Sequence, residues 1–67
     1  MKITLKAARV NAGIRQHEAA EQLGISAETL RRYEKAIAFP DVPLIKKIER
    51  LYNVSYNDLI FLPKSNV

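Results

Sequence analysis

The chain has no cysteine and no tryptophan, one histidine, one methionine, two glycines and three prolines. Without cysteine, neither a disulfide framework nor a thiolate-held metal can staple so short a sequence. His17 stands without a second histidine nearby, so no metal and no cofactor is expected. There is no Gly-rich phosphate loop and no pair of carboxylates suited to a cleft. No catalytic residue is therefore assigned, and the chain is read as not an enzyme. Long hydrophobic runs are missing too. The start, Met1-Lys2-Ile3-Thr4-Leu5-Lys6, is too short of apolar residues for a signal peptide or a membrane span. No Gly/Ser linker, low-complexity stretch or internal repeat occurs, and a cytoplasmic location away from membranes is expected.

What remains suits one small domain. Of the 67 residues, 48% are hydrophobic, enough for a core and unlike a disordered tail. Residues 1–63 are expected to fold and residues 64–67 to form a flexible C-terminal tail. The 11 Lys and Arg outnumber the 7 Asp and Glu, for a net charge of +4. A basic domain of this size suits a polyanion, nucleic acid being the commonest.

The few punctuating residues fall between helical patterns. Thr4 can cap a helix through Leu5, Ala8 and Ala12 that stops at Gly13. A second runs from about Gln16 through Ala19, Ala20 and Leu23 to Gly24, which permits the left-handed turn. Ser26 is an N-cap for a third helix over about Ala27 to Lys35. After a loop over residues 36–42, Asp41 caps a fourth helix with Pro43 in its first turn. Leu44, Ile45, Ile48, Leu51 and Tyr52 line one side of it, and Asn53 can end it. Ser55-Tyr56-Asn57-Asp58 has the form of a capping box and predicts a short fifth helix through Leu59, Ile60 and Phe61, ended by Pro63. No stretch alternates with period two, so no sheet is expected. The fold class is all-α, with five helices.

The segment from Gln16 to Lys35 places two short helices around Gly24-Ile25-Ser26, a helix-turn-helix layout whose second helix is presented to the DNA major groove. Ala20 lets the helices approach, and Leu30 fills the angle between them. At about 100° per residue, Leu30, Tyr33 and Ile37 face a core while Glu28, Arg31, Arg32 and Lys35 face away. Arg32 can donate twice to guanine, and Glu28 can accept from cytosine N4. The free N–H groups and the amide of Gln16 can receive a phosphate. His17 is placed on an exposed position near DNA, and Arg15, Thr29, Arg31 and Lys35 join the expected backbone contacts. The competing reading makes Glu28, Arg31 and Arg32 a solvated, salt-bridged helix face.

Gln16-x3-Ala20-x3-Gly24-Ile25-Ser26-x3-Leu30-x3-Glu34 resembles the Cro and repressor DNA-binding domains of phages, the XRE type. Leu5-Lys6-Ala7-Ala8-Arg9, Phe39-Pro40-Asp41-Val42-Pro43-Leu44 and Leu51 to Leu59 extend the likeness over roughly residues 3 to 62. The resemblance implies a lambda-repressor-like domain that binds double-stranded DNA and regulates transcription. It implies base reading from Ala27, Glu28 and Arg32, with Ala27 limited to a thymine methyl, and a phosphate on Gln16. It also implies an ion pair between Arg9 and Glu34 that ties the first helix to the third. Arg15 stands where relatives often carry a Ser or Thr cap. Where relatives have Gly, this chain has Ala36, which takes a left-handed turn less readily, so helix three is expected to run further. The loop lacks the basic residue that relatives set on phosphate. Ile37, Phe39 or the C-terminal helix is left for packing or a protein partner. Tyr56, Ile60, Phe61 and Leu62 are expected to supply a homodimer contact, at least on a palindromic operator. A Cro-like phage, prophage or bacterial repressor fits these features. An antitoxin, a restriction-modification controller or a protein-interaction module on the same fold remain alternatives.

Overall fold

A computed structural model describes residues 2–61. A two-residue strand β1 (Ile3–Thr4) leads into α1 (Leu5–Asn11), α2 (Gln16–Leu23), α3 (Ala27–Glu34) and α4 (Val42–Tyr52). One 3-10 turn (Tyr56–Asp58) then leads to a second strand, β2 (Leu59–Ile60). The expected tail at residues 64–67, and Leu62 in the expected dimer contact, lie outside the described residues.

The helices start where short side chains replace missing backbone partners. Thr4 Oγ1 accepts from Ala7 N at 3.1 Å, Ser26 Oγ from Thr29 N at 3.0 Å and Asp41 Oδ1 from Leu44 N at 3.0 Å. Each such cap stabilises its helix by about 1 kcal/mol. Arg15 has no acceptor on its side chain, so α2 keeps only the return half of a capping box: Arg15 N donates to Glu18 Oε1 at 3.0 Å.

The helices also stop alike, each on a left-handed residue: Gly13, Gly24, Ala36 and Asn53. After α3, Ile37 N donates to Arg32 O at 2.9 Å and Ala36 N to Tyr33 O at 3.1 Å, the paired bonds of a Schellman motif. The expectation that Ala36 would prolong the third helix is thus overturned. Ala36 sits at φ 59° and α3 ends at Glu34. Two backbone bonds, and the redirection of the chain toward α4, outweigh a steric cost of about 1–2 kcal/mol for a non-glycine residue.

Leu5, Ala8, Ala19, Ala20, Leu23, Leu30, Leu44, Ile48, Tyr52 and Leu59 form one core to which every helix contributes. Ala19 and Ala20 let α2 lie close, and Leu30 is completely buried. Burial of a side chain such as Leu30 contributes roughly 1.5–3 kcal/mol. Ile37, expected in this core, is 55% exposed because the chain turns away at Ala36.

The fifth helix does not form, and the chain is not purely helical. Ser55 caps a single 3-10 turn through Asn57 N, after which the backbone extends. Leu59 then pairs in parallel with Ile3, and Ile60 with Thr4. Extension lets Leu59 bury itself while its backbone bonds reach β1. A helix confined between Ser55 and Pro63 would be too short to hold itself. Two-residue strands are also too short for alternation to mark them in the sequence. Lys2 Nζ adds a bond to Asn57 O at 2.7 Å. No helix of the described residues is long and apolar enough to cross a membrane.

Candidate nucleic-acid interface

The Schellman turn at Gly24 reverses the chain between α2 and α3. Ile25 N donates to Ala20 O at 3.0 Å and Gly24 N to Glu21 O at 3.2 Å. Gly24 takes φ 77°, a left-handed backbone conformation in which an L side chain would be strained. Ser26 then starts α3 at once, so the two helices pack against each other through Ala20, Leu23 and Leu30. That leaves the other side of α3 in solvent.

Ala27, Glu28, Arg32 and Lys35 are exposed there, with Thr29 and Arg31 half-buried. The Arg32 guanidinium makes no hydrogen bond or ion pair with the described residues. Glu28 is held. Arg31 Nε and Nη2 donate to its two carboxylate oxygens at 2.9 and 2.6 Å. That bond is the main reason the Glu28 pKa is lowered; desolvation opposes it, and the Arg31 and Arg32 charges add to it, while the Glu28 bond likewise raises the pKa of Arg31. Thr29 Oγ1 accepts from Ser26 Oγ at 2.8 Å, leaving its own hydroxyl proton to donate.

Behind this edge the structure brings Arg9, Gln16 and Glu34 together. Arg9 Nε donates to Glu34 Oε2 at 2.6 Å and Nη2 to Oε1 at 3.3 Å, while Nη1 donates to Ile14 O at 3.0 Å. The two side chains are only 9% and 4% exposed. Gln16 Nε2 donates to the same Oε1 at 3.0 Å, so the amide expected to receive a phosphate is also bound to the ion pair. Three helices are therefore tied at one carboxylate. Arg15 and His17 stand exposed on either side of Gln16 at the start of α2.

A hollow of about 760 Å³ opens beside the pair, walled by Thr4, Lys6, Gln16, Arg31, Lys35 and Ile37. Lys6 is the cation that the sequence reading passed over. Its place was accessible from spacing, because Lys6 lies three residues before Arg9 and hence on the same helix face. The exposed polar groups around this hollow are mostly donors or cations, and Glu34 is already occupied. Such a surface can take backbone phosphates beside a rod sized for the major groove. Among the described residues no cluster of His, Asp or Glu is placed to hold a metal ion.

The family model described as helix-turn-helix matches residues 5–59, from the start of α1 to β2. The chain belongs to the Cro/C1-type (XRE) helix-turn-helix family. It is a family of DNA-binding transcriptional regulators. A curated relative, the HTH-type transcriptional regulator ImmR of Bacillus subtilis (strain 168), is 45% identical over 56 residues. The match covers 84% of this chain and 44% of ImmR, so the chain spans less than half the length of that relative. No solved structure gives a significant match.

Within the family's frame, the four helices are the ones expected for the resemblance, while the closing element is a 3-10 turn and a strand. Of the surfaces expected to meet a protein partner, the C-terminal helix is therefore absent. In its place Phe61 lies edge-on to Phe39 and tilted to Tyr56, each with ring centroids 6.2 Å apart. With Pro40 and Ile45 these rings line a groove of about 360 Å³.

Proposed function

We propose that the protein is a sequence-specific regulator that lays α3 in the major groove of an operator and acts as a Cro-like repressor in the cytoplasm. The observation that carries this reading is the outward edge of α3. The Arg32 guanidinium is exposed and has no hydrogen-bond or ion-pair partner among the described residues, on a helix fixed by a buried ion pair and a capped, tight turn. Arg32 donates to a guanine and Glu28 accepts from a cytosine, while Ala27 sits against a thymine methyl. Gln16, Arg15 and His17 meet one stretch of phosphates, with Lys35, Arg31 and Thr29 along the next. The Arg9–Glu34 pair keeps α3 at its docking angle, and Gln16 carries that restraint to the phosphate side.

One eight-residue helix reads few base pairs, so two copies on a palindromic operator supply the specificity. The aromatic patch of Phe39, Tyr56 and Phe61 is the proposed homodimer contact, Phe39 and Tyr56 being too exposed for a core role alone. Phe39 is 58% exposed and Tyr56 51%.

Selection of bound sequences from a random duplex library tests the reading. It is expected to return paired half-sites, with preferences that change at separate positions when Arg32 or Glu28 is replaced. Replacing Gln16 weakens all sequences alike. Half-sites indifferent to both α3 replacements would overturn the assignment.

A further inference from the structure

Arg31 has two places to go. In the free protein it is clamped by Glu28, one turn earlier on α3. It also lines the hollow between α1, α2 and α3, beside Lys6, Gln16 and Lys35. The clamp is easily opened, because its side chains are 43% and 61% exposed, and exposed pairs contribute about 0–1 kcal/mol. Glu34, the carboxylate that also lines the hollow, competes weakly for Arg31, since its side chain is only 4% exposed and Arg9 and Gln16 already donate three bonds to it. Arg32 has no comparable clamp and is available to every duplex.

Clamped together, Glu28 and Arg31 neutralise each other at the proposed interface. Each is also the other's competitor. A base that donates to Glu28 replaces the guanidinium bonds, and a phosphate that accepts from Arg31 replaces the carboxylate. Resting on the base-reading role of Glu28 set out above, we infer that the pair is a latch coupling sequence to backbone binding. On a preferred site Glu28 turns to its base and Arg31 swings to a phosphate at the mouth of the hollow. On a non-preferred duplex the pair stays closed and that phosphate contact is lost. Arg31 is thus a specificity-determining residue that touches no base.

The salt dependence of binding reads the latch directly, since each phosphate contact steepens the slope of log affinity on log salt by about 0.9. Fluorescence anisotropy is measured on two duplexes, one recovered from the library and one scrambled to the same composition. The proteins are the parent, R31Q, E28Q and E28Q/R31Q, with thermal melts confirming that each is folded. R31Q is expected to flatten the slope by about 0.9 on the recovered duplex, roughly a threefold smaller affinity change over a fourfold salt range. On the scrambled duplex it flattens the slope by much less. In the E28Q background, where the ion pair and its bidentate carboxylate are gone, removing Arg31 flattens both slopes equally. Equal flattening on both duplexes with Glu28 present, while the recovered duplex remains preferred, overturns the latch alone. Recovered and scrambled duplexes bound equally by the parent would overturn the base-reading assignment and the latch together.

Discussion

Replacing Glu34 with alanine tests the junction that orients α3. The carboxylate accepts three hydrogen bonds, two from Arg9 and one from Gln16, and is nearly fully buried. Without it the Arg9 guanidinium stays inside the domain with only the Ile14 carbonyl as partner. Stranding one member of a buried pair costs about 3–5 kcal/mol. A 67-residue domain at ordinary stability per residue has roughly 3–10 kcal/mol in total. E34A should therefore lose a third or more of its stability, and Tm should fall by at least about 12 °C at 4–8 °C per kcal/mol. The double variant R9M/E34L removes both charges and fills the space with apolar atoms. It should fold within about 1 kcal/mol of the parent or above it. Urea and thermal unfolding followed by circular dichroism at 222 nm give both values. A midpoint for E34A within about 1 kcal/mol of the parent would refute the reasoning, as would a double variant no more stable than E34A. A double variant that folds well but binds DNA weakly would separate the proposed docking role of the pair from its contribution to stability.

Two further outcomes follow from single side chains. Ala36 holds a left-handed conformation that costs an L-residue about 1–2 kcal/mol, partly offset in A36G by the greater freedom of unfolded glycine. A36G should therefore raise stability by roughly 0.5–1 kcal/mol in urea titration, and an unchanged or lower midpoint would contradict the backbone assignment. The Tyr52 hydroxyl is buried without a partner, and burial first, then the Glu34 charge, pushes its pKa up to about 12 against an opposing effect of Arg9. An unfolded tyrosine ionises near 10, so the folded state retains a proton that the unfolded state sheds between pH 10 and 12. The associated stability, on the order of 2 kcal/mol, is complete below pH 10 and lost as pH rises through that window. Y52F should remove this alkaline loss and be neutral or stabilising at pH 7; paired urea midpoints at pH 8 and 11 check it, and a Y52F chain less stable at pH 7 would reveal a bonded hydroxyl.

The four helices were legible because their boundaries are local chemistry. Thr4, Ser26 and Asp41 mark starts, and Gly13, Gly24 and Asn53 mark stops, each acting on backbone within a few residues. Ala36 broke that code. Its conformation is imposed by where the chain must go next, which propensity does not contain, and the error carried Ile37 into the core with it. The β1–β2 ladder was illegible for a different reason, since it joins residues at opposite ends of the chain over only two positions. At the interface, spacing correctly separated the outward residues of α3 from Leu30. Spacing could not decide which of Arg31 and Arg32 would close on Glu28, because both are within reach and the choice depends on side-chain rotamers. The Gln16–Glu34 bond was likewise hidden, being a contact between residues read for separate roles.

The parallel pairing of Ile3 with Leu59 also sets an order of events. Closing a loop of that length costs about 3.5 kcal/mol of chain entropy, and two rungs return little until the helices have already brought the ends together. The ladder is therefore the last seam to close during folding and the first to fray afterwards. Leu59 leaves the interior each time it opens. Amide exchange at Leu59 and Ile60 should accordingly outpace exchange in α2 and α3, so that breathing at the ends leaves the helix-turn-helix in place.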